Sequence, residues 1–200
     1  MGQHTATVYV VDENDVLISV DGGWLAFASA NGAPELARVV GRSLWELVTG
    51  LEVQYLWRQL LASARAREAP ILVRYRCDAP DRRRLFDLEL ARAGDGQVRC
   101  SSVLVHEEER PPLPLLARHA SRGDTILHLC SWCKRADAGG WVELEEAVHR
   151  LELLAADELP GLSHGICGDC DHAVRQVIAG ETPELPAALR PGGWHASQGS

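Results

Sequence analysis

The sequence predicts an α+β protein in which a sheet with helices on one face precedes a small cysteine-paired module. Two observations support the first half: five short apolar runs have the character of strands, and the segment between the second and third runs has helical periodicity. The third observation is that four of the six cysteines lie in two Cys-x-x-Cys pairs. We therefore divide the chain into a first domain (1–109), a linker (110–124), the module (125–180) and a tail (181–200).

The first two strands and the helices follow from the N-terminal pattern. TVYVVDENDVLISV contains two apolar runs separated by four polar residues, which predicts a hairpin. GWLAFASANG and GRSLWELVTG predict short helices, each ending near a glycine. LEVQYLWRQLLASARAREA predicts a long amphipathic helix. Its apolar stripe consists of Val53, Leu56, Trp57, Leu60, Leu61 and Ala64.

Three further strands complete the predicted sheet. In ILVRYRCD the alternation places Arg74 and Arg76 on the outer face, and in RLFDLEL it places Asp87 and Glu89 there. If these two strands pair, the side chains form cross-strand ion pairs. The turn AGDGQ leads into a last strand, VRCSSVLVHEEE. Strands before and after a helical segment favour one antiparallel sheet with helices on one face.

Composition marks the linker and the tail. RPPLPLLARHASRGD contains three prolines and is typical of a linker. The last segment, ETPELPAALRPGGWHASQGS, is rich in Pro, Gly and Ser, which predicts disorder over residues 181–200.

The two cysteine pairs predict a metal site. Cys130 and Cys133 lie in LHLCSWCKR, and Cys167 and Cys170 lie in SHGICGDCDH. A structural zinc ion takes four deprotonated soft ligands in a tetrahedron, and two residues between cysteines let a tight turn aim both sulfurs at one metal. The first pair follows a strand and the second begins a helix, whose free N–H groups stabilise thiolates. We predict a treble-clef-like zinc module, with iron left open because it accepts similar ligands.

The chain between the pairs is long for a zinc finger. Residues 134–166 include WVELEEAVHRLELLA, which has helical spacing and predicts a helix that packs on the finger as a small core. On such a helix, Glu145 and Glu146 are expected to form a solvated face.

The cysteines and histidines have other conceivable roles besides zinc binding. A thioredoxin-like motif needs a βαβ context that neither pair has, and a c-type haem needs CxxCH, which is missing. His128 and His164 lie near the pairs, and either could be a ligand, a neighbour of a ligand or a turn residue. Cys77 and Cys100 fall within strand patterns and are expected to be buried as small hydrophobes.

Charge and hydropathy exclude some classes of partner. The net charge is −8, and residues 121–175 carry 5 basic and 10 acidic residues, giving −5, so the module is a poor nucleic-acid binder. The chain has no apolar run long enough to span a membrane and no signal-peptide pattern. We therefore expect a cytoplasmic protein, in which paired cysteines serve metal or redox chemistry.

Several stretches resemble known bacterial segments. YVVDENDVLISVDGGWLAFASANG, VVGRSLWELVTG, the long helix and RYRCDAP resemble a subgroup of bacterial PAS sensor domains. CSWCK and SHGICGDC resemble a cysteine-pair segment found behind PAS domains in bacterial signalling proteins. Together these stretches cover roughly residues 7–175. The resemblance implies a five-stranded antiparallel sheet with helices over one face and a sensory or interaction role, frequently as a dimer.

The ligand of a PAS-like domain is left open by the sequence. The NCRFLQ-like motif of flavin-binding light sensors is missing, and residues 31–100 contain no histidine that could ligate a haem. A small organic ligand stays open, but a filled core without ligand is the expectation.

The sequence thus predicts a non-enzymatic sensor or adaptor of bacterial signal transduction. Its zinc module would present a surface to a protein partner, such as a kinase, and its first domain could form a homodimer. An enzyme is not expected, because four cysteines close the metal shell and leave no open position. The alternative is a thiol-based redox sensor, in which the same four cysteines release metal and form disulfides.

Overall fold

Five antiparallel strands form the main sheet of the computed structural model, which describes residues 6–117, 120–153 and 158–195. The strands follow the order β2-β1-β5-β4-β3, and every neighbouring pair is antiparallel. Their bounds are β1 Thr7–Val11, β2 Leu17–Val20, β3 Ile71–Arg76, β4 Arg82–Arg92 and β5 Val98–Glu109. The predicted five-stranded antiparallel sheet is confirmed.

Two α-helices lie between β2 and β3. The first, α1 (Gly22–Ala30), is capped by Asp21, whose carboxylate accepts the Trp24 N–H at 2.7 Å. The second, α2 (Leu51–Ala66), buries five of the six residues of the predicted stripe, while Trp57 is half-buried. The other predicted short helix is reduced to a 3₁₀ turn, Leu44–Glu46. None of the described helices is long and apolar enough to cross a membrane.

A second, four-stranded sheet carries the cysteine pairs. Its order is β8-β7-β6-β9, and β6 and β9 are parallel because the chain between them crosses over through a helix. The strands are β6 Arg122–Cys130, β7 Ala136–Asp137, β8 Trp141–Val142 and β9 Leu159–Gly165, and the helices are α3 Leu144–Arg150 and α4 Gly168–Ala179. The helical stretch predicted over residues 141–155 is shorter in the structure, and its last two residues, 154 and 155, lie outside the described residues.

The two sheets are joined by buried side chains. Leu127, Leu129, Leu144 and Val148 form a small core of the second sheet, as predicted for the inserted segment. The four paired cysteines and Trp132, however, belong to the same apolar cluster as the buried residues of α2. One apolar cluster thus contains residues from both sides of the predicted boundary between the first domain and the module. The domain boundaries themselves stay predictions.

The end of β3 differs from the predicted alternation. Arg74 pairs with Asp87 on the outer face at 2.6 Å, as expected from the sequence. Arg76, by contrast, is fully buried and its guanidinium contacts Asp78 at 2.6 Å and Glu143 at 2.7 Å. The reason is tertiary: the segment before α3 covers this end of the strand and brings Glu143 with it.

Parts of the predicted linker and of the predicted disordered tail are packed in the structure. Leu113 and Leu115 of the linker are buried. In the tail, 3₁₀ turns at Ala187–Leu189 and Gly193–His195 bury Ala188, Leu189 and Trp194. Residues 187–195 are therefore ordered, in contrast to the predicted disorder. The prediction followed the Pro- and Gly-rich composition of the tail and did not weigh its three apolar side chains, which pack against the rest of the protein. Residues 196–200 lie outside the described residues.

We expect Trp194→Ala to lower the free energy of unfolding by about 3–5 kcal/mol, the usual cost of truncating a buried aromatic residue. Trp194 is 2% exposed, its indole N–H donates to the Ala188 carbonyl at 2.9 Å, and its ring lies 5.3 Å from the Arg76 guanidinium. Urea denaturation measures the change, with exposed Glu184→Ala as the control in the same tail. A loss below about 0.5 kcal/mol, typical of a surface substitution, would contradict the packed tail.

Candidate metal centre

The structure brings the four cysteines predicted as metal ligands to one place. The Sγ atoms of Cys130, Cys133, Cys167 and Cys170 all lie within 4.8 Å of one another, and all four residues are fully buried. The Sγ atoms of Cys133 and Cys167 are 3.7 Å apart. In a tetrahedral zinc site with Zn–S bonds of about 2.3 Å, neighbouring sulfurs are ~3.8 Å apart. The cluster therefore fits a metal of this size.

The first pair sits in a tight turn at the end of β6. The Cys130 N–H donates to the Arg135 carbonyl at 2.8 Å, and the Lys134 N–H donates to the Cys130 carbonyl at 3.0 Å. Lys134 adopts a left-handed conformation with φ 62°, which lets the chain reverse directly after the pair. Ser131 is tied to β9 by its N–H, which donates to Gly165 at 2.9 Å. These bonds hold both sulfurs on one side of the turn.

The second pair lies at the start of α4, as predicted. Cys167 is the residue that caps the helix, and Cys170 lies in its first turn. The Cys167 N–H donates to the Cys130 Sγ at 3.4 Å, so the backbone of one pair contacts the sulfur of the other. Amide donors and the partial positive charge of a helix start both favour thiolate over thiol.

Hydrogen bonds among the four sulfurs lower the pKa values of two cysteines and raise those of the other two. The hydrogen bond with Cys130 lowers the pKa of Cys133 to about 6 and also lowers that of Cys167. Hydrogen bonds to the neighbouring cysteines raise the pKa values of Cys130 and Cys170. A metal ion bound by all four sulfurs requires each of them to be a thiolate, and the ion supplies the positive charge that thiolates so close together need.

Arg135 is a functional residue that the sequence analysis missed. Its guanidinium donates to the Sγ atoms of Cys167 at 3.2 Å and Cys133 at 3.4 Å, and to the Asp169 carboxylate at 2.7 Å. A tetrathiolate site with a divalent metal carries excess negative charge, and a guanidinium at two sulfurs offsets part of it. The basic pair after CSWC was the available signal, but the sequence does not say which of its members turns toward the sulfurs.

We expect Arg135→Gln to lower zinc affinity about 10–100-fold, the usual effect of removing a group that hydrogen-bonds to metal ligands. Competition with a chromophoric zinc chelator measures the affinity. Arg175→Gln is the matched control, because Arg175 is an exposed arginine paired with Asp171 on the same helix as Cys170. Equal affinities for the two variants would contradict a role of Arg135 at the sulfurs.

His128 and His164, the two histidines that the sequence offers as possible ligands, lie outside the group of sulfurs. His128 is exposed on β6, and His164 is half-buried on β9, where burial lowers its pKa. Within the described residues, the group of mutually close ligand atoms holds the four cysteines and neither histidine.

A cavity of about 350 Å³ lies between the helices and the inner face of the main sheet. Its wall is mostly apolar and includes Trp24, Trp57, Tyr75 and Cys77. The Tyr75 hydroxyl donates to Ser102 at 3.1 Å, so this polar group is already paired. The cavity can hold a small organic molecule. The expectation of a core without ligand stays a prediction.

The two unpaired cysteines differ in their surroundings. Cys100 is fully buried, as expected, and burial raises its pKa to about 12. Cys77 is half-buried and contributes to the wall of the cavity.

An ion-pair cluster connects the main sheet to α3, which we call the Arg76 cluster: Arg76, Asp78, Arg83, Arg110, Glu143 and Glu145. Glu145, expected on a solvated face, pairs with Arg83 at 2.8 Å and Arg110 at 3.2 Å. The sequence does not predict the two ion pairs of Glu145, because they join residues 62 and 35 positions apart.

The sequence matches no protein-family model and no curated protein. Among solved structures, the fold is similar to the PAS domain of an HTR-like protein from Haloarcula marismortui, with 17% sequence identity and a TM-score of 0.30. The match covers 52% of this chain and 86% of the other chain.

Proposed function

We propose that this chain is a non-enzymatic sensor or adaptor of bacterial signal transduction, built from a PAS-like domain and a structural zinc centre. The observation that carries the proposal is the group of four buried cysteine sulfurs within 4.8 Å of one another. Four sulfurs fill a tetrahedral shell, whereas a catalytic zinc keeps one position open for water or substrate. The centre therefore serves the structure of the protein.

The first domain supports the sensory part of the proposal. Its five-stranded antiparallel sheet, with α2 against the inner face, is the architecture that the sequence resemblance implies. The cavity beneath the helices offers room for a small ligand. The same proposal includes three further points. The protein acts in the cytoplasm, it signals through a protein partner such as a kinase, and its first domain forms a homodimer.

Metal analysis of the purified protein tests the zinc centre. We expect one zinc per chain, lost in Cys130→Ser and retained in Cys100→Ser, which changes a buried cysteine outside the centre. Iron in place of zinc would shift the proposal toward electron transfer or redox sensing. A protein without metal would overturn it.

A thiol-based redox switch is the second candidate. It is favoured by the 3.7 Å separation of the Cys133 and Cys167 sulfurs and by the Arg135 guanidinium, which contacts both. Hydrogen peroxide would take two electrons from two thiolates and two protons from solvent, forming one disulfide and two water molecules while the metal leaves as a divalent cation. Thiol titration of the zinc-loaded protein before and after mild peroxide separates the candidates. A switch loses two thiols and its zinc together, whereas a structural centre keeps both.

A further inference from the structure

The wall of the first-domain cavity and the turn that carries Cys130 and Cys133 are in direct contact. Trp57 lines the cavity, and its ring centroid lies 6.0 Å from that of Trp132. Trp132 is one of the two residues between Cys130 and Cys133 and is 4% exposed. One tryptophan therefore faces the cavity and packs on the metal-binding turn.

The end of β3 provides a second contact between the same two places. Tyr75 and Cys77 line the cavity, and between them the Arg76 N–H donates to the Trp132 carbonyl at 2.7 Å. The Arg76 side chain continues to Glu143, beside α3. Tyr75 and Arg76 are successive residues of β3, and successive residues of a strand point to opposite sides. A shift of Tyr75, or of Cys77 directly after the strand, therefore moves Arg76 against the turn that carries Cys130 and Cys133.

Trp132 is the residue at which the two contacts meet. Its indole N–H is buried and has no hydrogen-bond partner among the described residues. Buried donors are nearly always paired, so the packing of Trp132 carries an unmet hydrogen bond. Trp132 contacts the cavity wall through Trp57 and the end of β3 through Arg76, so a displacement of either reaches its side chain or backbone.

We infer that the cavity and the metal centre are thermodynamically coupled through Trp132, so that filling the cavity weakens metal binding. This inference rests on the proposed zinc centre and names its regulation. An added group in the cavity presses Trp57 toward Trp132 and disturbs the turn that aims two sulfurs. By linkage, the metal weakens binding in the cavity by the same factor.

Filling the cavity by substitution tests the coupling without a known ligand. Ala28 is buried in α1 and lines the cavity, so Ala28→Leu occupies part of it. We expect zinc affinity to fall about fivefold or more, the lower end of typical coupling between sites. Ala30→Leu, the same change at an exposed position of α1, leaves the affinity unchanged. Circular dichroism checks folding, and Val48→Leu replaces Ala28→Leu if that variant does not fold.

A double-mutant cycle assigns the coupling to its route. In a Trp57→Leu background the ring contact with Trp132 is lost and only the contact through β3 remains, so Ala28→Leu should lower zinc affinity less than it does in the wild-type background. An equal loss in both backgrounds would overturn this route, and no loss in the Ala28→Leu single variant would overturn the coupling itself. Both results leave the zinc centre of the wild-type protein intact. A wild-type protein that binds no zinc would instead overturn the proposed function.

Discussion

Removal of zinc is expected to unfold residues 125–180 and to lower the melting temperature of the whole chain by about 10 °C or more. Structural zinc contributes about 10–16 kcal/mol in small zinc modules, which is comparable to the whole stability of a domain. Each kcal/mol lost lowers the melting temperature by about 2–4 °C in a protein of this size. The first domain is affected too, because Cys130, Trp132 and Cys133 share a core with α2.

Thermal unfolding of the protein with and without EDTA measures this effect, and limited proteolysis locates it. Cys170→Ser should behave like the chelated protein, since it removes one of the four buried sulfurs. Cys100→Ser with zinc present is the control for loss of a buried thiol. A chelated protein with an unchanged melting temperature and intact residues 125–180 would show that the fold needs no metal.

Arg76→Met is expected to lower the free energy of unfolding by about 3–5 kcal/mol. The methionine fills similar space but leaves the Asp78 and Glu143 carboxylates without the guanidinium that contacts them at 2.6 and 2.7 Å. Burial raises the pKa of Glu143 even with Arg76 present. An unpaired charge at this depth is costly because water cannot replace the lost partner.

Arg74→Met is the matched control, two residues earlier on the same strand. The Arg74–Asp87 pair is partly exposed, at 26% and 38%, and a pair of this kind contributes only about 0–1 kcal/mol. Glu143→Gln added to Arg76→Met should recover part of the loss, because it removes one uncompensated charge. Urea denaturation compares the variants. If Arg76→Met cost no more than Arg74→Met, the Arg76 cluster would not stabilise the contact between the two sheets.

Local patterns in the sequence were sufficient for much of the fold. The stripe of α2 and the strands of the main sheet are periodic, and periodicity depends on neighbours within one element. The four cysteines could be predicted as a group because their spacing reports ligand geometry directly. β9 escaped prediction because LPGLSHG contains Pro and Gly and does not alternate.

The residues that surround the metal centre could not be predicted in the same way. Alternation along β3 places Arg76 beside Arg74, and only tertiary contacts, with Glu143 67 positions away and with Trp194, make it a buried residue. Arg135 and Trp132 depend likewise on how the turn is oriented against α4 and α2. The tail shows the same limit, because Trp194 needs the end of β3 to pack against.

The parallel pairing of β6 and β9 explains how a long gap can coexist with a compact metal centre. Cys130 is the last residue of β6 and pairs with Gly165, the last residue of β9. The two cysteine pairs therefore lie at the same end of the second sheet. Ligand geometry is thus independent of the number of residues in the crossover. The exposed turn at Gly139 and Gly140 can lengthen or shorten without moving a sulfur. A search for related centres that fixes the distance between the two pairs would pass over chains built on this plan.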